Sequence, residues 1–151
     1  MKNTIFSTLN KIVFFVGRTF LGSHHDYSML KEEFPPEHPW FELICILADL
    51  GYQGIQKDYQ GDDIHIPHKK PRKSKNNPAP QLLPEQKEEN RALSQVRVLV
   101  EHSIGGMKRF QILVQAFRNR KDGFADVVVG LTAGLWNFLS PSPEAIECLR
   151  G

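Results

Sequence analysis

The sequence of 151 residues predicts one domain of the α/β or α+β class, built from layers of strands and helices. Three patterns support this prediction. Residues typical of strands dominate the first twenty positions, an apolar run ends at Asp49, and helical periodicity follows Pro84. The content of 40% apolar and 24% charged residues is typical of globular proteins. The formal net charge of +2 is too small to indicate a partner.

The N-terminal third predicts a hairpin followed by a helix. The segments NTIFST and KIVFFVGRTF are rich in Ile, Val, Phe and Thr and are separated by only two residues, which favours two paired strands. Asp26 is expected to cap a helix over YSMLKEEF, which Pro35 and Pro36 end.

Two further strands and a basic loop are expected next. WFELICILA predicts a buried strand that ends at Asp49, where Gly51 and Gly54 mark a turn. DIHIPH predicts a short edge strand, because Pro67 has no N–H to donate. Residues 68–80 (HKKPRKSKNNPAP) are aperiodic and predict a loop. Its positive charge is concentrated in Lys69, Lys70, Arg72, Lys73 and Lys75.

Two amphipathic helices are expected after Pro84. The first carries an apolar stripe predicted to be buried, with Gly105 and Gly106 as its weak point. The stripe consists of Leu93, Val96, Val100, Ile104 and Met107. The second helix is expected to end at Pro141, with Trp136 and Phe138 in the core. Its stripe consists of Phe124, Val127, Val128, Leu131, Leu135 and Phe138.

The positions of the cysteines and histidines limit the possible disulfide and zinc sites. Cys45 and Cys148 do not form a disulfide framework, which favours a reducing cytosolic setting. His65 and His68 form an H-x-x-H motif, but on a short strand their side chains point to opposite faces, so a zinc site there is not favoured.

One face of the first long helix carries Arg97, Glu101 and Lys108. Glu101 follows Arg97 by four positions, and Lys108 follows Glu101 by seven. Taken alone, this spacing favours a solvated face with an ion pair worth a few tenths of a kcal/mol. Asp49 alone is likewise compatible with a carboxylate that simply begins a turn.

The motifs together closely resemble the DDE superfamily endonucleases, the cut-and-paste transposases of bacterial insertion sequences, and most of all the insertion-sequence family numbered five. The phrases that carry the resemblance are ADLGYQGI, IPHKKPR and NRALSQVRVLVEHSIGGMKRFQIL. It extends from KNT near the start, through GSHHDYSMLKEEF, to LWNF, and so covers nearly the whole chain.

The resemblance implies roles for named residues. Asp49 corresponds to the second catalytic aspartate, which precedes a Gly-Tyr-x-Gly turn, and Glu101 to the catalytic glutamate. Both are expected to bind a divalent metal ion, Mg²⁺ or Mn²⁺. Arg97 and Lys108 match the arginine and lysine of the same helical pattern, whereas Ser94 stands where the family has tyrosine. Asp26 corresponds to a residue adjacent to the site.

The resemblance also implies a ribonuclease-H-like mixed sheet with flanking helices. In that fold the first catalytic aspartate lies on the central first strand. No Asp or Glu precedes Asp26, so the chain is expected to lack this strand and to be inactive alone. Residues 1–140 are then a partial catalytic domain, including the loop 68–80, and residues 141–151 form a short tail.

The partners implied are the terminal inverted repeats of a transposon and target DNA. An upstream transposase fragment and further copies of the chain are also expected, whereas a membrane is not, and the protein is expected at the nucleoid when it binds DNA. The residues expected to bind DNA or support the site are Arg97, Lys108, Lys69, Lys70, Arg72, Lys73 and Arg109. The alternative is a remnant that binds DNA without catalysis.

Overall fold

The computed structural model describes residues 1–61, 63–74, 78–115, 119 and 121–140. The elements follow the predicted order, with a short additional helix, α2, and two 3₁₀ turns. They are β1 (Ile5–Ser7), β2 (Val13–Val16), α1 (Asp26–Glu33), β3 (Ile46–Leu47), α2 (Ile55–Asp58), β4 (Ile64–His65), α3 (Pro84–Lys108) and α4 (Phe124–Leu139). This mixed α/β architecture confirms the predicted class and is consistent with a ribonuclease-H-like fold.

The chain divides into two compact units. The first unit comprises residues 1–24 together with residues from 98 onward, and the second unit comprises residues 25–97. The two strand pairs are likewise divided, with β1 and β2 in the first unit and β3 and β4 in the second. In the described ranges, no helix combines the length and the apolar character needed to cross a membrane.

The predicted hairpin is confirmed in the first unit. β1 and β2 pair antiparallel, with Phe6 opposite Phe15. A bulge after Phe6 interrupts the ladder, and pairing reappears towards the open end as a bridge between Lys2 and Phe20. The regular strands are therefore shorter than the segments that predict them.

α4 buries a face that differs from its predicted apolar stripe. Most of the predicted stripe is exposed, namely Val127, Leu131, Leu135 and Phe138. The buried side chains are Val128, Val129, Thr132 and Ala133. Both faces are apolar, so periodicity alone could not choose between them. The buried face carries smaller side chains, against which β2 packs.

Two side chains of α4 form hydrogen bonds to the backbone of the hairpin. Trp136 Nε1 donates to the Lys11 carbonyl at 2.8 Å. Asn137 accepts the Val13 N–H at 2.9 Å and donates to the Val13 carbonyl at 2.6 Å. Trp136 packs against the core as predicted, but Phe138 is 86% exposed, so its predicted place in the core is wrong.

α3 is continuous over its predicted length. Its apolar stripe is fully buried only at Met107, and the other four members are half-buried, so the expected continuous burial is wrong. The glycine pair does not interrupt the helix. A Cβ atom on Gly106 would lie 2.1 Å from the ring of Trp136, so glycine permits this close helix contact.

α1 begins one residue earlier than predicted. His25 is the N-cap, and its Nδ1 accepts the Tyr27 N–H at 3.3 Å. Asp26 as the cap is wrong, because the extended backbone that a cap requires belongs to His25 (φ −78°, ψ 134°). The helix ends before Pro35 and Pro36, as predicted.

β3 and β4 form a short parallel pair in the second unit, with Ile46 opposite Ile64 and Leu47 opposite His65. Among the described strands, β4 pairs with β3 alone, as its predicted edge position requires. Two residue pairs are all that the ladder contains.

The long buried strand expected over WFELICILA is wrong. The start of this run forms a turn, and only its end reaches β4. Leu43 is 94% exposed, whereas Phe41 is buried and its ring contacts that of Tyr59. Tertiary contacts of Phe41 therefore override the β propensity of the run.

Candidate active site

Asp49 lies where β3 ends and the chain turns. It lies two residues beyond the end of β3 and caps a 3₁₀ turn at Leu50–Tyr52, with its Oδ1 accepting the Leu50 N–H at 2.7 Å. Its own backbone stays extended (φ −84°, ψ 171°), as a cap requires. The strand and the cap together define the position of this carboxylate.

Arg97 on α3 contacts the same carboxylate. Its Nη1 donates to Asp49 Oδ1 at 3.2 Å, and the two residues are 48 positions apart in the chain. Both side chains are about half exposed, so the ion pair contributes no more than about 1 kcal/mol to stability. Its main effect is to orient Asp49. From sequence, Arg97 was expected to support Glu101 or bind phosphate, and the contact with Asp49 was not foreseen.

The surroundings of Asp49 are acidic. Burial, together with the negative charges of Asp26, Glu33 and Asp49, raises the pKa of Tyr52 to about 12. A Cβ atom on Gly51 would lie 3.2 Å from Asp26 Oδ2, so the Asp26 carboxylate lies against the turn that Asp49 begins. Three carboxylates near one strand end create a negative potential that favours a cation.

Glu101 and Lys108 lie on the part of α3 that belongs to the first unit, whereas Asp49 belongs to the second. Both side chains are exposed, as is that of Arg109 just after the helix. Lys108 also lines a cavity of about 180 Å³ in the first unit, beside Met107 and Ile104. The convergence of Asp49 and Glu101 on one metal ion stays a prediction.

The described part of the basic loop is solvent-exposed except at Pro80, which is buried. Lys69, Lys70, Arg72 and Lys73 are all exposed, and Lys69 Nζ donates to Gln53 Oε1 at 3.2 Å. Lys75 falls outside the described residues. An accessible row of cations is what contact with a nucleic-acid backbone requires.

The donor set at Asp49 suits a hard cation. Asp49 and Glu101 are partly or fully exposed carboxylates, so water and ions can reach their oxygens. Mg²⁺ and Mn²⁺ prefer such oxygen ligands. The residues present therefore fit the metal ion that the sequence led us to expect.

The sequence does not predict the roles of two residues in the second unit, Tyr52 and His25. Tyr52 was treated only as part of a turn, although its burial among carboxylates makes it part of the site wall. His25 was not recognised as the cap of α1, because histidine is not among the residues that favour this position. Neither had a local signal, since each role depends on a contact formed in the folded chain.

Comparison with known proteins points to one family. Residues 1–137 match the sequence profile of the family described as DDE superfamily endonuclease. A probable transposase for insertion sequence element IS702 from Microchaete diplosiphon is 37% identical over 117 residues, which is 78% of this chain. The aligned region covers 38% of that relative's length. No solved structure matches the chain.

Proposed function

The chain belongs to the DDE superfamily endonucleases, and from that premise we propose that it forms the C-terminal part of the catalytic domain of a DNA transposase. Its reaction is metal-dependent cleavage and transfer of DNA strands during transposition of an insertion sequence. The observation that carries this proposal is the contact between Asp49 and Arg97. It joins two motifs that lie far apart in the sequence, the aspartate before the Gly-Tyr turn and the charged face of α3.

Asp49 and Glu101 are proposed as the acids that hold Mg²⁺ or Mn²⁺. A bound divalent ion stabilises the negative charge that develops at phosphorus and on the attacking and leaving oxygens. The Leu50 N–H and Arg97 both donate to Asp49 Oδ1 and orient this carboxylate. Asp26 lies against the same turn and adds to the negative potential that attracts the cation, whereas Tyr52, whose pKa is raised to about 12, lines the turn as a neutral phenol.

The exposed cations are proposed to bind DNA. The described residues of the basic loop, together with Lys108 and Arg109, offer charge to phosphate groups without reading bases. Terminal inverted repeats and target DNA are the proposed substrates. Residues 1–140, with the loop 68–80, are proposed as one catalytic segment that acts with an upstream transposase fragment and further copies of the chain.

The test is DNA cleavage with Mg²⁺ or Mn²⁺ on terminal-repeat DNA, measured for the chain alone and with a co-expressed upstream transposase fragment. Asp49→Asn and Glu101→Gln are each expected to lower the rate at least about a hundredfold, because each removes a charged metal ligand. Glu85→Gln is the matched control, since it removes the same charge from an exposed position on the same helix. Cleavage that persists in both site variants would exclude these acids as metal ligands.

A DNA-binding assay distinguishes a catalytic transposase segment from a chain that only binds DNA. Fluorescence anisotropy is expected to show binding that Asp49→Asn leaves intact and that weakens steeply with salt. Replacing Lys69 and Lys70 by Gln is expected to reduce the salt slope by about 1.8, at about 0.9 per phosphate contact. Salt-dependent binding without cleavage under any of these conditions would favour the alternative, a remnant that only binds DNA.

A further inference from the structure

Three potential metal ligands meet on the short pair of strands β3 and β4. They are Cys45, Asp63 and His65, and one ligand atom from each lies within 4.8 Å of the others. In the described part of the chain, this is the one group of three His, Cys, Asp or Glu residues that comes so close.

The parallel register of β3 and β4 produces this cluster. Ile46 pairs with Ile64, and the Ile46 N–H donates to the Asp63 carbonyl at 2.9 Å. Cys45 precedes Ile46 just as Asp63 precedes Ile64, so these two side chains lie across the ladder from one another. Asp63 and His65 are two positions apart and share one face of their strand.

The side chains already interact without a metal ion. His65 Nε2 lies 2.6 Å from Asp63 Oδ1. Hydrogen bonds from His65 and from the Cys45 thiol hold the pKa of Asp63 below its usual range. The histidine and aspartate side chains are 50% and 60% exposed, and Cys45 is also exposed. The three groups are therefore close together and accessible from solvent.

The ligand chemistry selects the ion. Thiolate, imidazole and carboxylate are the zinc ligands of proteins, with bonds of about 2.0–2.3 Å. Ligand atoms around one tetrahedral ion therefore lie about 3.3–3.8 Å apart, so small rotamer changes within the cluster are sufficient. A sulfur ligand disfavours Mg²⁺, which prefers oxygen. Three protein ligands leave the fourth position open to water.

We propose that Cys45, Asp63 and His65 form a binding site for a thiophilic divalent ion such as Zn²⁺, which links β3 to β4. The site is distinct from the proposed catalytic acids, because Asp49 follows the opposite, carboxyl end of β3. The ladder contains only two residue pairs, so a metal link stabilises the strand that precedes Asp49. This site does not depend on the proposed transposase activity.

Co²⁺ is the probe, because a cobalt–thiolate bond gives a charge-transfer absorption in the near ultraviolet. Titration of the full chain under reducing conditions is expected to produce this band with one equivalent of Co²⁺, and Zn²⁺ is expected to displace it. Cys45→Ser is expected to abolish the band. His65→Gln is expected to weaken Zn²⁺ binding at least about a hundredfold, since the loss of even an outer-shell partner costs about ten- to a hundredfold.

Three control variants locate the ion. Cys148→Ser removes the other thiol of the chain, and His68→Gln removes a neighbouring imidazole whose ring contacts Glu89. Asp49→Asn alters the proposed catalytic site. All three are expected to keep the band and the Zn²⁺ affinity. The proposal is overturned if the intact chain gives no band, if Cys45→Ser retains it, or if Asp49→Asn abolishes it.

Discussion

Replacing Gly106 by alanine tests the packing of the helix that carries Glu101. In the structure, a Cβ atom at position 106 would lie 2.1, 2.2 and 2.6 Å from three ring carbons of Trp136. Such distances are far inside van der Waals contact. The ring cannot move freely, because its Nε1 donates to the Lys11 carbonyl at 2.8 Å.

The expected cost follows from three terms. Overpacking a well-packed contact costs about 1–3 kcal/mol, and breaking the Trp136 hydrogen bond costs about 1 kcal/mol. Alanine offsets about 1 kcal/mol through its higher helix propensity. The net loss in the free energy of unfolding is therefore about 1–3 kcal/mol, which lowers Tm by about 2–12 °C for a chain of this size.

Gly105 provides a matched control on the same helix. A Cβ atom there meets nothing within 4 Å, so Gly105→Ala is expected to stabilise by about 0.5–1 kcal/mol. Thermal unfolding followed by circular dichroism compares the two variants under identical conditions. In a Trp136→Ala background, Gly106→Ala should lose its penalty, because the clashing ring is gone. If Gly106→Ala raises Tm as Gly105→Ala does, the proposed contact with Trp136 does not exist.

Two further predictions concern single side chains. Asn137→Ala removes the side chain that hydrogen-bonds both the N–H and the carbonyl of Val13, a residue only 5% exposed. The free energy of unfolding measured in urea should therefore fall by about 2–4 kcal/mol. Asn137→Asp, which keeps the acceptor, should lower it less, and equal losses for the two variants would contradict this account. Tyr27→Phe removes the hydroxyl that donates to Asp58 at 2.6 Å and that lowers the pKa of this carboxyl in the folded state. That stabilisation is complete above about pH 5 and is lost as pH falls through the lowered pKa. The difference between wild type and Tyr27→Phe should therefore disappear in acid, and a difference that does not depend on pH would refute the role of this bond.

Local patterns predicted the elements well. β-branched and aromatic residues predicted the hairpin, the Pro-Pro pair predicted the end of α1, and periodicity predicted α3 and α4. These features depend on interactions between residues close in sequence, which a pattern records directly. Asp49 at a strand end was predicted for the same reason.

Burial was predicted less well, because it depends on what lies opposite each face. α4 has apolar residues on two faces, and only the approach of β2 decides which is covered. WFELICILA has the composition of a buried strand, yet Leu43 is exposed because the ladder with β4 ends after two residue pairs. Neither the buried face of α4 nor the exposure of Leu43 can be predicted from the local sequence.

The sequence by itself determined the family, the order of the elements and the candidate acids Asp49 and Glu101, because motif spacing and periodicity are properties of neighbouring residues. Only the tertiary structure decided that Arg97 binds Asp49 and that Cys45 meets Asp63 and His65. Each of these contacts joins separate segments of the chain. The register of β3 against β4 and the course of α3 create them, and neither can be read from a linear pattern.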